Sequence, residues 1–139
     1  YLEALCQYYK LGDRVHFVGH VENVKTIWAD NHLLVLPSRR EGTPLALVEA
    51  MLCGRPSVVT DVGGNAEWIE DGITGFIAEA STATSFGQAL ERAWQAQSNW
   101  EPMGVTAHTT AMSKFDSNPG KSLLQIIVEA AARIPSASL

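Results

Sequence analysis

The stretch HLLVLPSRREGTPLALVEAMLCGRPSVVTD, residues 32–61, decides the fold. It opens on an apolar run from His32 to Ser38, without polar alternation and halted by Pro37. A strand that does not alternate is buried on both faces, which points to a parallel sheet. A second short run of the same kind, Pro56 to Asp61, closes the stretch. Between them the sequence predicts a loop and then a helix from Pro44 to Cys53. Thr43 suits the N-cap, and Pro44 suits the first helical position because its absent N–H would have had no partner there. Gly54 and then Pro56 supply the stop. Leu45, Val48 and Leu52 mark the expected core stripe, with Glu49 about 40° round the helix from Leu45. Strand, helix and strand in this order make a βαβ unit.

The same rhythm continues on either side. Residues 1–10 read as a helix, Val15 to Val18 as a strand closed by Gly19, and residues 22–30 as a helix striped by Val24, Ile27 and Trp28. After Asp61 come a loop and short helix over GGNAEWIEDG, residues 63–72, and a last strand, GFIAEA, at 75–80. Helices are expected over 84–97, 101–113 and 119–133, the last striped by Leu123, Ile126, Ile127 and Ala130. The expected fold is therefore α/β: a Rossmann-like open parallel sheet with helices on both faces and a helical C-terminal tail. Residues 1–100 form the expected domain, and 101–139 the helices that pack on it. In open parallel sheets ligands bind beyond the carboxyl ends of the strands. The loops 19–23, 37–44 and 61–66 therefore carry the functional question.

Composition narrows the partners. With 139 residues, 46% of them hydrophobic and 18% charged, the chain can bury one core. No apolar run approaches the roughly 20 residues of a membrane span. A net charge of -5, with only 10 scattered Lys and Arg, argues against nucleic acid as a partner. Cys6 and Cys53, far apart in sequence, suit a reducing cytoplasm better than a disulfide framework. The chain opens on Tyr1 without Met or signal peptide and reads as a piece of a longer protein. His16 and His20 straddle a predicted strand end instead of sharing a helix face, so no metal site is expected. Trp28, Trp68, Trp94 and Trp100 form no stacking platform by spacing and are assigned to core or interface packing.

At the start of the predicted helix, the N–H groups of Leu45 and Ala46 and the positive end of the helix dipole favour an anion. Glu41 stands on the lip of that site and Glu49 one turn inside. Carboxylates accept hydrogen bonds readily from vicinal hydroxyls, and phosphate together with sugar hydroxyls suggests a nucleotide sugar. A glutamate in a first turn is also favoured by the dipole alone, and a loop glutamate needs no ligand, so spacing leaves both readings open. For Arg39 and Arg40 solvated loop charge comes first and phosphate contact second. For Asp61, Gly63 and Gly64 a structural turn comes first and proximity to the donor sugar second. Glu67 and Asp71 fit helix capping as readily as a site.

The run VLPSRREGTPLALVEAMLCGRPSVVTDVGGNAEWIEDGITGFI, residues 35–77, resembles the C-terminal half of the retaining GT-B glycosyltransferases of the large family 4 group. Glu41 and Glu49 match its Glu-x7-Glu motif, and Gly54-x-Pro56, Thr60 to Gly64, Glu67 and Asp71-Gly72-x-x-Gly75 follow in its order. LGDRVHFVGHV at 11–21 fits the family as well. The resemblance implies that Glu41, the catalytic candidate, contacts hydroxyls of the donor sugar and that Glu49 binds the ribose. It implies that Gly42, Thr43, Leu45 and Ala46 present backbone N–H groups to sugar and diphosphate around Pro44, with Arg39 beside them. Gly19, His20, Val21 and Asn23 match the loop that packs on the base. Thr43-Pro44 departs from the aromatic and glycine common at this point of the family, which bears on the choice of sugar.

The implied activity is retaining transfer of a hexosyl group from a UDP- or GDP-sugar to an acceptor, without metal or cofactor, in polysaccharide or glycoconjugate synthesis. The family's upstream Arg and Lys loop has no counterpart here, since Lys10 and Arg14 lack its context. The N-terminal acceptor-binding domain is also expected elsewhere, and with it any membrane association. The chain is thus expected to be an inactive donor-binding fragment, cytoplasmic or peripheral at the inner membrane face. Two alternatives stand beside this reading: a nucleotide-sugar epimerase of the same architecture, and a non-catalytic nucleotide-binding or interaction domain. A nicotinamide-binding module would want G-x-G-x-x-G after its first strand, which Gly19-His20-Val21 does not supply.

Overall fold

The computed structural model describes residues 1–133; positions 134–139, the end of the expected C-terminal helical segment, lie outside the described residues. The chain is α/β and divides into two compact units, of which the first is Tyr1–Asp30 and the second begins at Asn31.

The first unit contains helices α1 (Leu2–Tyr8) and α2 (Val24–Asp30). The strand expected at Val15 to Val18 does not form: no strand is assigned there, and Phe17 and Val18 are exposed. A β-branched run becomes a strand only by joining a ladder, and the described residues of this unit offer no second strand.

The second unit is built on three short parallel strands, β1 (Leu34–Leu36), β2 (Ser57–Thr60) and β3 (Gly75–Ala78), in the order β1-β2-β3. Leu34 pairs with Ser57 and Leu36 with Val59, while Ser57 pairs with Gly75 and Thr60 with Ala78. All four residues of β2 are buried, as a central strand requires. Its alternation divides the core. Val59 joins Leu47, Met51, Ile69, Ala107 and Ala111 on one face, and Val58 joins Phe76, Phe86, Ala89, Ala93 and Met103 on the other. Helix α3 (Leu45–Leu52), the short α4 (Asn65–Trp68) and α6 (Trp100–Lys114) serve the first face, and α5 (Ala83–Gln95), joined by Met103 of α6, the second. Each fully buried Val, Leu or Met in these layers contributes roughly 1.5–3 kcal/mol. Helix α7 (Pro119–Ala132) is different: its apolar residues Leu123, Leu124, Ile126, Ile127 and Val128 are exposed.

Helix α3 departs from expectation at its start and in its facing. Pro44, with φ −72° and ψ 120°, is the N-cap, and Thr43 makes no capping hydrogen bond. The extended ψ of Pro44 delays the helix by one residue. The buried stripe is Leu47, Ala50 and Met51, whereas Leu45 is 75% exposed. Glu49, half-buried, therefore shares the side of Leu45, away from the core. The C-terminus follows the glycine rule: Arg55 N–H reaches Ala50 O at 2.8 Å and Gly54 N–H reaches Met51 O at 2.9 Å, with Gly54 at φ +68°. Immediately beyond, α6 crosses so closely that a Cβ on Gly104 would stand 2.0 Å from Gly54 O. His108 Nδ1, 2.7 Å from Leu52 O, joins the same two helices. It must carry the proton there, because a carbonyl only accepts.

Candidate functional site

The carboxyl ends of β1 and β2 lead into the loops 37–44 and 61–64, which meet. Gly64 N–H donates to Gly42 O at 2.7 Å. Gly63, at φ +56°, approaches so near that a Cβ there would lie 2.0 Å from Glu41 O. Only glycine combines that dihedral with that contact at no steric cost. Across the same strand ends, Thr60 Oγ1 donates to Ser38 O at 2.5 Å, and Ser38 Oγ donates to Glu41 Oε1 at 2.6 Å. Thr60 O in turn accepts from Asn65 Nδ2 at 2.8 Å. Asn65 is fully buried, and its Oδ1 has no hydrogen-bond partner among the described residues. A chain of small polar groups thus runs from α4 through the end of β2 and the loop after β1 to the half-buried carboxylate of Glu41.

Beside it α3 begins. Its first internal donors are Leu47 N–H and Val48 N–H, both directed at Pro44 O, so the N–H groups of Leu45 and Ala46 precede the helical ladder. Both Leu45 and the loop residues Gly42 and Thr43 are exposed, and Pro44 is buried beneath them. Arg39 and Arg40 are exposed on the same loop. Arg39 also borders a cleft of about 280 Å³, with Pro37, Thr60, Thr82 and Phe86 among its lining. Glu41, Gly42, Thr43, Pro44, Leu45, Ala46 and Glu49 thus belong to one loop and the helix it enters, with Arg39 on the preceding turn.

The remaining candidates lie in the first unit. Gly19 has φ +70°, and Gly19, His20 and Asn23 are exposed while Val21 is half-buried. Asn23 stands at the start of α2, where its Oδ1 accepts from Lys25 N–H at 3.2 Å. Among the described residues, no three His, Cys, Asp or Glu side chains gather in a way that could hold a metal ion.

Other residues raised by the sequence have structural partners. Asp71 accepts from Ile77 N–H at 2.7 Å and pairs with both terminal nitrogens of Arg92, at 2.7 and 3.1 Å. Burial pushes its carboxyl up, but the Arg92 hydrogen bonds, the Ile77 N–H and the guanidinium charge outweigh that and hold it below the usual carboxylate range. Trp68 is half-buried under the Lys114 ammonium, and Trp100 donates from Nε1 to Ala93 O at 2.8 Å. Trp94 departs from the packing role: it is 66% exposed and touches the edge of Trp100. Ser38, Thr60 and Asn65 carry the polar connections of the site, yet no spacing rule singles them out.

The chain is 34% identical over 105 residues to an N-acetyl-alpha-D-glucosaminyl L-malate synthase of Bacillus anthracis, which covers 76% of this chain and 28% of that enzyme. Among solved structures, a sucrose-phosphate synthase from Thermosynechococcus elongatus superposes with a TM-score of 0.82 at 26% identity, over 96% of this chain and 34% of that one. Anabaena HepE, solved in complex with UDP, superposes with a TM-score of 0.78 at 25% identity, over 96% and 36% of the two chains. This chain thus spans about a third of these relatives' length. The family model described as glycosyl transferases group 1 matches residues 1–96. That match takes in both loops of the site and the whole sheet, and the chain belongs to the glycosyl transferases group 1 family.

Proposed function

We propose that this chain is the nucleotide-sugar donor-binding part of a retaining glycosyltransferase that moves a hexosyl group from a UDP- or GDP-sugar to an acceptor in polysaccharide or glycoconjugate synthesis. The observation that carries the reading is the joint at the carboxyl ends of β1 and β2. There a tethered Glu41 carboxylate stands before the free N–H groups that open α3, with Glu49 on the open side of the same helix. Helix N-terminal N–H groups suit a diphosphate, and carboxylates suit sugar hydroxyls. Glu41 receives hydroxyls of the transferred sugar, Glu49 the ribose, and Gly42 to Ala46 the diphosphate, with Arg39 beside it. Gly19, His20, Val21 and Asn23 take the base. No metal or cofactor enters this scheme. The UDP-bound relative supports a nucleotide donor.

The acceptor-binding half and the cationic loop that would neutralise the leaving diphosphate belong to the rest of the full-length protein. The chain alone therefore transfers no sugar. Saturable binding of UDP or GDP in an equilibrium titration tests the donor-binding reading, and failure of both to bind counts against it. Transfer from a UDP- or GDP-sugar by the purified chain would contradict the claim that it is inactive alone.

A further inference from the structure

We propose that Ser38 and Thr60 are positioning residues that set the Glu41 carboxylate for the donor sugar, so that β2 governs sugar recognition through a hydroxyl relay without touching the sugar. The inference rests on the reading of Glu41 as a sugar ligand and extends it to residues that reading leaves unassigned. A glutamate in a glycine-flanked loop has freedom in both backbone and side chain, and a free carboxylate is a poor selector of hydroxyl positions. Here both freedoms are removed. The side chain is held through Oε1 by Ser38 Oγ at 2.6 Å, which leaves the second oxygen for a ligand. Ser38 is held through its carbonyl by Thr60 Oγ1 at 2.5 Å, across 22 residues of sequence. Thr60 is 1% exposed and is itself held by the buried Asn65. The Glu41 backbone is confined by Gly63, whose α-carbon leaves no room for a side chain.

This arrangement reads as pre-organisation and not as stability alone, because its terminus is a half-buried carboxylate at the mouth of the site. A hydroxyl donating to a charged carboxylate fixes one oxygen and orients the other. The relay bears on the sugar and not on the nucleotide, since Glu49 and the α3 N-terminus lie outside it.

The test separates these two contributions. The chain is titrated with UDP and UDP-glucose, and with GDP and GDP-mannose, for the native sequence, Ser38→Ala, Ser38→Thr, Thr60→Val and Glu41→Gln. Thermal unfolding checks that each variant is folded. In parallel, side-chain carbon relaxation of Glu41 is measured without ligand. The relay predicts that Ser38→Ala lowers the affinity gained from the sugar by about tenfold, the upper cost of ordering one freed side chain on binding. Thr60→Val lowers it by about threefold, Ser38→Thr restores it, and bare UDP or GDP binds unchanged. Glu41 becomes more mobile in Ser38→Ala and Thr60→Val alike. Equal loss for nucleotide and nucleotide sugar, or an unaltered Glu41 mobility, overturns the relay. If the native chain gains nothing from the sugar and Glu41→Gln is equally silent, the ligand reading of Glu41 fails, and the relaxation data still decide whether the carboxylate is held.

Discussion

Gly63 is the residue on which the meeting of the two loops depends. Any side chain there must take a left-handed backbone and also displace the Glu41 carbonyl, which a Cβ would meet at 2.0 Å. Gly63→Ala should therefore destabilise the chain by about 2 kcal/mol, read as a lower urea midpoint. Gly42→Ala, with nothing within 4 Å of the added atom, should leave that midpoint nearly unchanged. Asp71 supplies a second prediction at this scale. Its folded-state pKa lies below the ordinary value, so its contribution is present above the unfolded pKa and is lost as pH falls through the folded one. The pair is nearly half exposed, which limits its worth to about 0.5 kcal/mol. Asp71→Asn should lower stability slightly at neutral pH, and the gap from the native chain should close below about pH 4. A gap that widens on acidification contradicts the assignment. The polar connections of Ser38, Thr60 and Asn65 were beyond sequence reasoning for a physical reason, although Ser38 and Thr60 fall within the matching motifs. The link between Ser38 and Thr60 spans 22 residues and is set by strand pairing, and a small hydroxyl or amide carries no periodic signal of its own.

At the scale of elements, hydrophobic rhythm located β1, β2, β3 and the seven α-helices of the described residues, with boundaries shifted by a few residues. It did not orient α3. Seven of the eight residues from Leu45 to Leu52 are apolar, so several stripes satisfy helical spacing, and only the packing of α6 and the sheet selects Leu47, Ala50 and Met51. That selection answers why Glu49 is tolerated: it stands on the open side of the helix, not at the edge of the core. The failed strand at Val15 to Val18 has the opposite cause, since its composition was right but a ladder partner was absent from its unit. Two helical glycines separate propensity from packing. Gly87 in α5 has open space where a Cβ would go, and Gly87→Ala should stabilise by about 0.5–1 kcal/mol. Gly104 in α6 presses on the Gly54 carbonyl. Gly104→Ala should destabilise by 1 kcal/mol or more, roughly the cost of overpacking, despite the same gain in helix propensity. Denaturant titration of the two variants distinguishes them by sign.

For the whole molecule, the parallel order β1-β2-β3 places the carboxyl ends of the strands, and with them both candidate loops, at one end of the second unit. The fold class was legible in the apolar runs of β2 and β3, which are largely buried, whereas β1 is the edge strand and exposes Val35, so its unbroken apolar run does not mark burial on both faces. The candidate site was legible only as far as one loop and one helix, because a glutamate's role depends on what its neighbours leave free. The chain belongs to the glycosyl transferases group 1 family, and the account's central claim is the proposal that it carries the donor nucleotide site. The most direct test is calorimetric titration of the chain with UDP and with GDP, beside Glu49→Ala, with far-UV circular dichroism of both proteins. The account predicts saturable binding of one nucleotide by the native chain and at least a tenfold loss in Glu49→Ala, the scale of a lost hydrogen bond to a charged group, with an unchanged spectrum. Equal binding by both proteins, or binding of neither nucleotide by a folded native chain, would contradict it.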